Sequence, residues 1–403
     1  MFRAVIEQRG KRPKRFISSV GLSATFALAR ERQSDYELGE NLGAQDLVMS
    51  DFAEKISSGT GSGQFSTLAL PIRVGGVELP NRVFLAPMSG VTDIVFRCLA
   101  EKAGAGLVIS EMVASAEFCR ESAESQKRAM GGDLRLHAVQ LAGREAYWMG
   151  EAAKRAADAG AALIDINMGC PAKKVTGGLS GSALMRDPDH AMTLVEATVN
   201  AVDVPVTLKM RLGWDDATVN APDLAARAQS AGVKMITVHG RTRCQFYEGA
   251  ADWAAVKAVK DGISVPLVVN GDIQCAETAS RALEASGADA VMVGRASYGQ
   301  PWLAGAIAAA AAEIESEKPV SSPDMAAYVA AHYEAMLQLY GAHMGVRHAR
   351  KHLGWYLDKL PIKASAEMRA QLMTQRSPER VLALIERIFL HSERAAESQS
   401  LAA

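Results

Sequence analysis

The sequence has few cysteines and no C-x-x-C pair, which limits the kinds of site it can form. Five cysteines lie far apart in 403 residues. Zinc sites and redox dithiols need closely spaced cysteine pairs, so we expect neither, and no other metal. Scattered, unpaired thiols are typical of a reducing compartment, which favours a cytoplasmic location. The cysteines are Cys98, Cys119, Cys170, Cys244 and Cys275.

Long apolar runs and an excess of one charge are also missing. No apolar run approaches the length that spans a bilayer, so we expect no membrane contact. Lys and Arg number 44 against 45 Asp and Glu, for a net charge of −1. Any nucleic-acid site must therefore be a local basic patch, because the chain has no overall positive field. We expect a monomer.

The first part of the chain differs from the rest. It contains a basic cluster at Arg9–Arg15 and a flexible-linker pattern at Ser57–Gly63. Three interpretations stay open: a disordered tail, a gene start placed too early with the true start at Met49, or a transit peptide. We favour the first two. We divide the chain into an extension (residues 1–67), a barrel (68–318), a helical domain (319–395) and a tail (396–403).

Short apolar runs alternate with amphipathic segments from Ile72 onward. Ile72–Leu79 contains Gly75-Gly76 between two alternating segments, which predicts a hairpin. Eight apolar runs then predict buried strands, each followed by a helical pattern such as Ala146–Ala159 or Pro188–Val202. Eight such units predict an α/β fold, a (β/α)8 TIM barrel. The predicted strands are Val83–Ala86, Leu107–Ser110, Leu136–Leu141, Leu163–Ile166, Val206–Met210, Met235–His239, Leu267–Asn270 and Ala290–Val293.

The pattern changes past Pro319, where no strand signal remains. Four amphipathic segments follow, which predicts a small all-helical domain after the barrel. The predicted helices are Met325–Tyr340, Arg347–Asp358, Ala364–Leu372 and Pro378–Ser392.

Polar residues and glycines follow the carboxyl ends of the predicted strands, which is the catalytic face of an α/β barrel. Cys170 lies just past the fourth strand, in a polar loop that also holds Lys173 and Lys174. A lone cysteine in a turn is usually structural. A flexible loop with two lysines is unlike a core, however, which favours a functional thiol.

The last two strands end in residues that suit an anion. Gly271 and Gly294 would let backbone N–H groups approach a bound group, and Arg295 adds a positive charge. Loops after strands seven and eight commonly bind phosphate in such barrels. Each glycine alone could be an ordinary turn residue, but the pairing with an arginine predicts a phosphate site.

Other strand ends suit a planar heterocycle. Lys209 would place a fixed cation in the barrel mouth, and Gln140 and Asn167 would offer amide groups. Taken singly, Lys209 could be a surface lysine and His239 a packed histidine. Their convergence on one ring of positions favours a ligand site.

Four segments resemble the tRNA-dihydrouridine synthases: APMSGVTD (residues 86–93), DINMGCP (165–171), TVHGRTR (237–243) and NGD (270–272). The chain is most similar to the bacterial B-type branch, sometimes labelled nitrogen-regulation protein, and the resemblance covers about Leu70 to Phe389. It implies FMN in the barrel mouth, NADPH as reductant, and reduction of the C5=C6 bond of uridines in tRNA to dihydrouridine.

The resemblance also assigns roles to residues. Cys170 would be the proton donor to the base. Because Lys173 and Lys174 would favour a thiolate there, this role requires that they face RNA phosphate. The residues implied to contact FMN are Pro87, Met88, Ser89, Gln140, Lys209, His239, Asn270, Gly271, Asp272, Gly294 and Arg295.

The helical domain contains a basic run, Arg347–Lys363, within which Arg347, Arg350 and Lys351 have the spacing of one helical face. Charge runs are usually solvated surfaces, but the resemblance favours an RNA-binding face. The residues expected to contact RNA are Lys173, Lys174, Arg241, Arg243, Arg347, Arg350 and Lys351.

Two other functions remain possible. An enzyme of the same fold acting on a free pyrimidine, like dihydroorotate dehydrogenase, would not need the basic helical domain. An RNA-binding or regulatory protein with a degenerate site would not need Cys170, Lys209, His239 and Arg295 together. Flavin absorbance in the purified protein would exclude the second.

Overall fold

A computed structural model describes residues 63–319, 321–360, 362 and 364–400, with side chains described as far as Leu390. The expectations for residues 1–62, for the end of the tail and for Lys363 lie outside the described residues.

The described chain begins with a short helix and a hairpin. Helix α1 (Gly63–Ser66) leads into a 3-10 turn (Thr67–Ala69) whose Leu68 is fully buried. Phe65, two residues before the predicted boundary at residue 67, packs half-buried against the barrel core. Strands β1 (Ile72–Val74) and β2 (Val77–Leu79) then pair in antiparallel fashion, which confirms the predicted hairpin.

The remaining strands form a closed parallel barrel. β3 pairs with β4 on one side and with β11 on the other, and the chain after β4 bridges to β6 at Ile109 and Ala138. The sheet therefore closes on itself, which confirms the predicted TIM barrel. The strands are β3 (Val83–Leu85), β4 (Leu107–Val108), β5 (Val113–Ala114), β6 (Ala138–Ala142), β7 (Leu163–Met168), β8 (Val206–Arg211), β9 (Met235–His239), β10 (Leu267–Asn270) and β11 (Ala290–Val293).

The second barrel strand is broken, and the prediction of one strand over Leu107–Ser110 is wrong in this respect. β4 and β5 occupy one barrel position, separated by the buried polar residues Ser110 and Glu111. Ser110 Oγ accepts the backbone N–H of Gln140 at 2.9 Å and donates to Glu111 O at 2.8 Å. A side chain thus replaces part of the strand ladder at this position.

Helices cover the outside of the barrel and the predicted segments form as expected, with ends shifted by a few residues. Several begin at an aspartate that caps the helix: Asp187 Oδ1 accepts from His190 N and Asp252 Oδ1 from Ala255 N. The helices are α2 (Ile94–Lys102), α3 (Ser115–Cys119), α4 (Ala123–Arg128), α5 (Ala146–Asp158), α6 (Lys173–Thr176), α7 (Pro188–Val199), α8 (Ala221–Ser230), α9 (Trp253–Gly262), α10 (Ala276–Ser286) and α11 (Leu303–Ala311).

The hairpin closes the amino-terminal end of the barrel. Val74 and Leu79 are fully buried in one apolar cluster with Phe84, Met235 and Met292, all near the barrel interior. Burial of this surface excludes water from one end only. The carboxyl end of the strands therefore remains the open face, where the site lies.

The last described segment is all-helical, which agrees with the predicted helical region. Its helices are α12 (Ser322–Tyr340), α13 (Ala342–Lys359), α14 (Ala366–Thr374) and α15 (Pro378–Ser400). This region packs directly on the barrel. Trp355 of α13 stacks on Tyr298 with ring centroids 4.1 Å apart, and Phe96 of α2 contacts the rings of His332 and His352.

Helix α11 offers a test of barrel packing, because Gly305 lies directly against the backbone of Ala103. A Cβ built on Gly305 would overlap the Ala103 carbonyl group, whereas one on Gly262 meets nothing within 4 Å. We expect Gly305→Ala to lower the free energy of unfolding by about 2 kcal/mol or more through overpacking. Gly262→Ala should leave it within about 0.5 kcal/mol of wild type. Urea unfolding measures both, and equal stability of the two variants would contradict this packing.

Candidate active site

A cleft of about 730 Å³ opens at the carboxyl ends of the barrel strands. Cys170 lines it, and so do all of the residues expected to contact the cofactor. The structure therefore brings together side chains from seven strand ends. The lining residues expected from the sequence are Pro87, Met88, Ser89, Gln140, Cys170, Lys209, His239, Asn270, Gly271, Asp272, Gly294 and Arg295.

A chain of hydrogen bonds forms the floor of the cleft. Asp165 accepts from Thr207 Oγ1 at 2.6 Å and from Gln140 Nε2 at 2.7 Å. Asn167 Nδ2 donates to Gln140 Oε1 at 2.8 Å, and Asn167 Oδ1 accepts the Cys170 N–H at 3.1 Å. The chain thus links three adjacent strands to the thiol-bearing loop. It also means that Gln140 can offer a ligand only the donor and acceptor capacity that these bonds leave over.

Lys209 is a buried cation beside this floor. Its Nζ donates to Asn270 Oδ1 at 2.9 Å, and Asn270 Nδ2 donates to the Met292 carbonyl at 2.8 Å. Burial, assisted by Arg211, lowers the pKa of Lys209 to about 8. Among the described residues no carboxylate lies within 4 Å of its Nζ. A bound anionic or electron-rich group would complete the environment of this charge.

Arg241 is buried below the rim and does not face solvent. It is 1% exposed, and its NH2 and NH1 donate to Asp272 at 2.6 and 3.0 Å. Although burial acts in the opposite direction, these bonds and the Ala251 N–H lower the pKa of Asp272. Arg241 was expected to contact RNA, and in the structure its guanidinium is bonded to Asp272 and to the Gly249 carbonyl.

The two expected glycines have different reasons to be glycine. Gly271 has φ +114°, and a Cβ there would lie 2.9 Å from His239 Cδ2. Its backbone conformation and its packing therefore require glycine, with or without a ligand. A Cβ on Gly294 would meet no atom closer than 3.9 Å, so the space beside it belongs to the cleft. Arg295 lies next to Gly294, and its side chain is 46% exposed. Gly294 and Arg295 therefore fit an anion-binding edge.

Arg211 is a site residue to which the sequence pattern gave no role. It is 1% exposed, and its Nε donates to the Gly169 carbonyl at 2.8 Å. Its NH1 donates to the carbonyls of Thr242 and Phe246 at 2.9 Å each, and Tyr247 lies over it at 5.5 Å. It ends β8 two residues after Lys209, so strand alternation places both on one face. The two-residue spacing from Lys209 is the sequence feature that could have identified Arg211 as a site residue.

Cys170 is half-buried in the cleft wall. Its carbonyl accepts from Ser182 Oγ at 2.8 Å, which ties the loop to the 3-10 turn at Gly181–Arg186. Burial raises the pKa of the Cys170 thiol, although Arg211 and Lys209 act in the opposite direction. Lys173 and Lys174 are exposed on α6. Burial therefore favours the protonated thiol over the thiolate at this position.

The other basic residues expected to contact RNA differ in exposure and in their contacts. Arg243 packs on Trp214 and Phe246, at 4.6 Å from each ring. In the helical region Arg347 is exposed, whereas Arg350 donates to the Gln375 carbonyl at 3.2 Å and Lys351 is half-buried against Gly90. Arg350 and Lys351 are both half-buried, and contact of these three residues with RNA stays a prediction.

A second cavity, of about 400 Å³, lies in the helical region. Arg347 and Arg350 line it together with Arg376, His343 and Val346. Arg376 lies beyond the basic run and was not expected from the sequence. The three arginines make this cavity strongly basic, which suits a phosphate group.

The described part of the chain forms neither a membrane-spanning helix nor a metal centre. No helix there is long and apolar enough to cross a bilayer. Within the same residues, no group of three or more His, Cys, Asp or Glu side chains is placed to hold a metal ion.

The cleft lies at the carboxyl ends of the barrel strands, where enzymes of the (β/α)8 fold have their active sites. It holds a buried lysine and a thiol, so the chain has the features of a (β/α)8-barrel enzyme. The dihydrouridine synthase (Dus) family model matches residues 84–394. The chain belongs to the dihydrouridine synthase family.

Curated relatives match over nearly their whole length. A probable tRNA-dihydrouridine synthase from Rhizobium leguminosarum bv. phaseoli is 59% identical over 307 residues, which covers 76% of this chain and 95% of that protein. A tRNA-dihydrouridine synthase B from Pseudomonas aeruginosa is 42% identical over 319 residues, 79% of this chain and 96% of that protein. Among solved structures, an old yellow enzyme homologue from Zymomonas mobilis gives a weak likeness: TM-score 0.44, 16% identity, 63% of this chain and 95% of that chain.

The protonation of Cys170 can be tested against a second cysteine. Hydrogen bonds from Thr278 lower the pKa of the exposed Cys275, whereas burial raises that of Cys170. Only the thiolate is alkylated. We therefore expect the iodoacetamide reaction of Cys170 to reach half its maximal rate at a higher pH than that of Cys275. Mass spectrometry of both peptides across a pH series measures this, and the reverse order would contradict a protonated Cys170.

Proposed function

We propose that the protein is a tRNA-dihydrouridine synthase that reduces the C5=C6 bond of uridines in tRNA, using FMN and NADPH. Family membership and the names of the relatives support this reaction. The observation that carries it is one cleft in which the half-buried thiol of Cys170 and the buried Lys209 lie together. A cytoplasmic location and a monomer remain expectations.

The residues present fit a flavin. Lys209 offers a cation that, within the described part of the chain, has no carboxylate within 4 Å, which suits an electron-rich ring. His239 also lines the cleft. Burial and the neighbouring cations lower the pKa of His239 well below its ordinary value, so its imidazole is neutral. Gly294 and Arg295 would hold the phosphate, because one leaves room for it and the other carries a charge. Pro87, Met88 and Ser89 would line the opposite wall.

The reaction needs a hydride at C6 of the uracil and a proton at C5. Bound FMN, reduced by NADPH, would supply the hydride. Cys170 would donate its proton to C5 as a general acid, which leaves a thiolate. Arg211 and Lys209 would stabilise that thiolate, since both act electrostatically on this sulfur. Burial keeps the proton on the sulfur before the reaction, and the two cations limit the cost of losing it.

The substrate must present its base outside the stack, because the cleft lies at the end of the barrel. RNA binding would then depend mainly on phosphate contacts. Lys173 and Lys174 are exposed beside the cleft, and Arg347, Arg350 and Arg376 line the basic cavity of the helical region. This second basic site favours RNA over a free pyrimidine, which would need contacts only within the cleft.

Substitution of the proton donor tests the reaction. We expect Cys170→Ala to bind FMN and to be reduced by NADPH at the wild-type rate, because the thiol is not needed for either. Turnover on tRNA should fall by about 100-fold or more, since general acid catalysis commonly contributes that much. Stopped-flow flavin reduction and mapping of dihydrouridine in tRNA measure the two steps.

A matched substitution at Cys119, a half-buried cysteine outside the cleft, serves as the control. Cys119→Ala should convert tRNA at the wild-type rate. Conversion by Cys170→Ala at an unchanged rate would show that another group donates the proton.

A further inference from the structure

Side chains of the helical region reach the barrel loop that holds Pro87, Met88 and Ser89. The contact consists of Asp93 and Glu111 from the barrel and of Tyr340 and Lys351 from α12 and α13; we call these four residues the junction. Asp93 and Glu111 are 5% and 4% exposed. Two carboxyl groups buried together are costly unless they are paired or hydrogen-bonded, so each partner in the junction matters.

Asp93 joins the two parts of the chain directly. Its Oδ1 accepts the Phe96 N–H at 3.0 Å, which caps α2, and its Oδ2 accepts from Tyr340 Oη at 3.0 Å. Lys127 reinforces the contact, because its Nζ donates to the Leu339 carbonyl at 3.1 Å and lies 4.8 Å from the Tyr340 ring centre. The end of α12 is thereby fixed to the start of α2.

Glu111 holds the loop itself. Its carboxylate accepts the backbone N–H of Gly90, the residue that follows Ser89. Gly90 has φ +76°, a conformation that glycine adopts readily. The loop is otherwise closed by local bonds, from Met88 N to Thr92 Oγ1 at 2.9 Å and from Val91 N to Met88 O at 2.9 Å. Glu111 is thus the contact that ties this loop to the second barrel strand.

Lys351 lies between these groups. A Cβ built on Gly90 would lie 3.2 Å from Lys351 Nζ, so the ammonium group rests against the loop. Burial lowers the pKa of Lys351, while attraction to Asp93 and Glu111 raises it. Arg97 also lies near both carboxyl groups, but its own bonds go to the Thr92 and Met130 carbonyls. Lys351 is therefore a cation of the helical region that offsets the negative charge of Asp93 and Glu111 in the junction.

We propose that Lys351 is a positioning residue for the cofactor loop and not an RNA contact. By balancing Glu111 and Asp93 it keeps the Gly90 backbone, and with it Pro87, Met88 and Ser89, in the conformation that lines the cleft. The helical region is then part of the cofactor site as well as a surface for the substrate. This inference rests on the proposed FMN function.

Replacement of Lys351 by methionine removes the charge but keeps an unbranched chain of similar length. We expect Lys351→Met, stripped of flavin and titrated with FMN, to bind roughly tenfold more weakly than wild type, about 1.4 kcal/mol. Lys351→Arg should recover most of the affinity, because it restores the charge. Lys234→Met, at the exposed amino-terminal end of the barrel, is the matched control and should bind as wild type.

A second readout separates positioning from RNA binding. The slope of log affinity for tRNA against log salt should stay at the wild-type value in Lys351→Met, with FMN saturating. In Arg347→Gln, whose side chain is exposed at the basic cavity, it should fall by about one unit if one phosphate contact is lost. If Lys351→Met fails to fold, Tyr340→Phe removes only the bond to Asp93 and should weaken FMN binding in the same direction.

The outcomes are distinguishable. Wild-type protein that binds no FMN would refute the proposed function itself. Wild-type binding with equally tight binding by Lys351→Met, or by Tyr340→Phe in its place, would overturn the positioning role. A Lys351→Met variant with normal FMN affinity and a reduced salt slope would instead make Lys351 a phosphate contact.

Discussion

The hydrogen bond between Lys209 and Asn270 is the interaction on which the site depends. It holds a cation at the open end of a barrel whose other end is sealed by apolar side chains. An ammonium group in such a place loses most of its hydration, and burial lowers the pKa of Lys209 accordingly, to about 8. The neighbouring groups fit this constraint. His239 stays neutral, and the buried Asp165 is satisfied by Thr207 and Gln140.

The same balance of burial and charge explains the thiol. Burial raises the pKa of Cys170, while Lys209 and Arg211 act against it. Burial favours the protonated thiol. If the thiol loses its proton, the two cations lie close enough to stabilise the resulting thiolate. The same opposition occurs in the junction, where burial lowers the pKa of Lys351 and attraction to Asp93 and Glu111 raises it.

Much of the fold and of the candidate site could be predicted from the sequence. Strands alternate with helices at regular spacing, and polar residues at strand ends such as Lys209 and Asn270 converge because parallel strands end on one face. Pairings between distant residues could not be predicted in this way. Arg241 meets Asp272, and Lys351 meets Gly90, across separations that no periodicity reports. For this reason the sequence predicts Arg241 and Lys351 as RNA contacts, whereas the structure buries Arg241 and half-buries Lys351.

The proposed function requires that the buried Lys209 cation binds a flavin. Titration of flavin-free protein with FMN, followed by flavin fluorescence, measures this binding. We expect one saturable site per chain in the wild-type protein, an affinity at least roughly tenfold weaker in Lys209→Met, and no change in Lys234→Met. Absence of FMN binding by the wild-type protein, or equal binding by Lys209→Met, would contradict it.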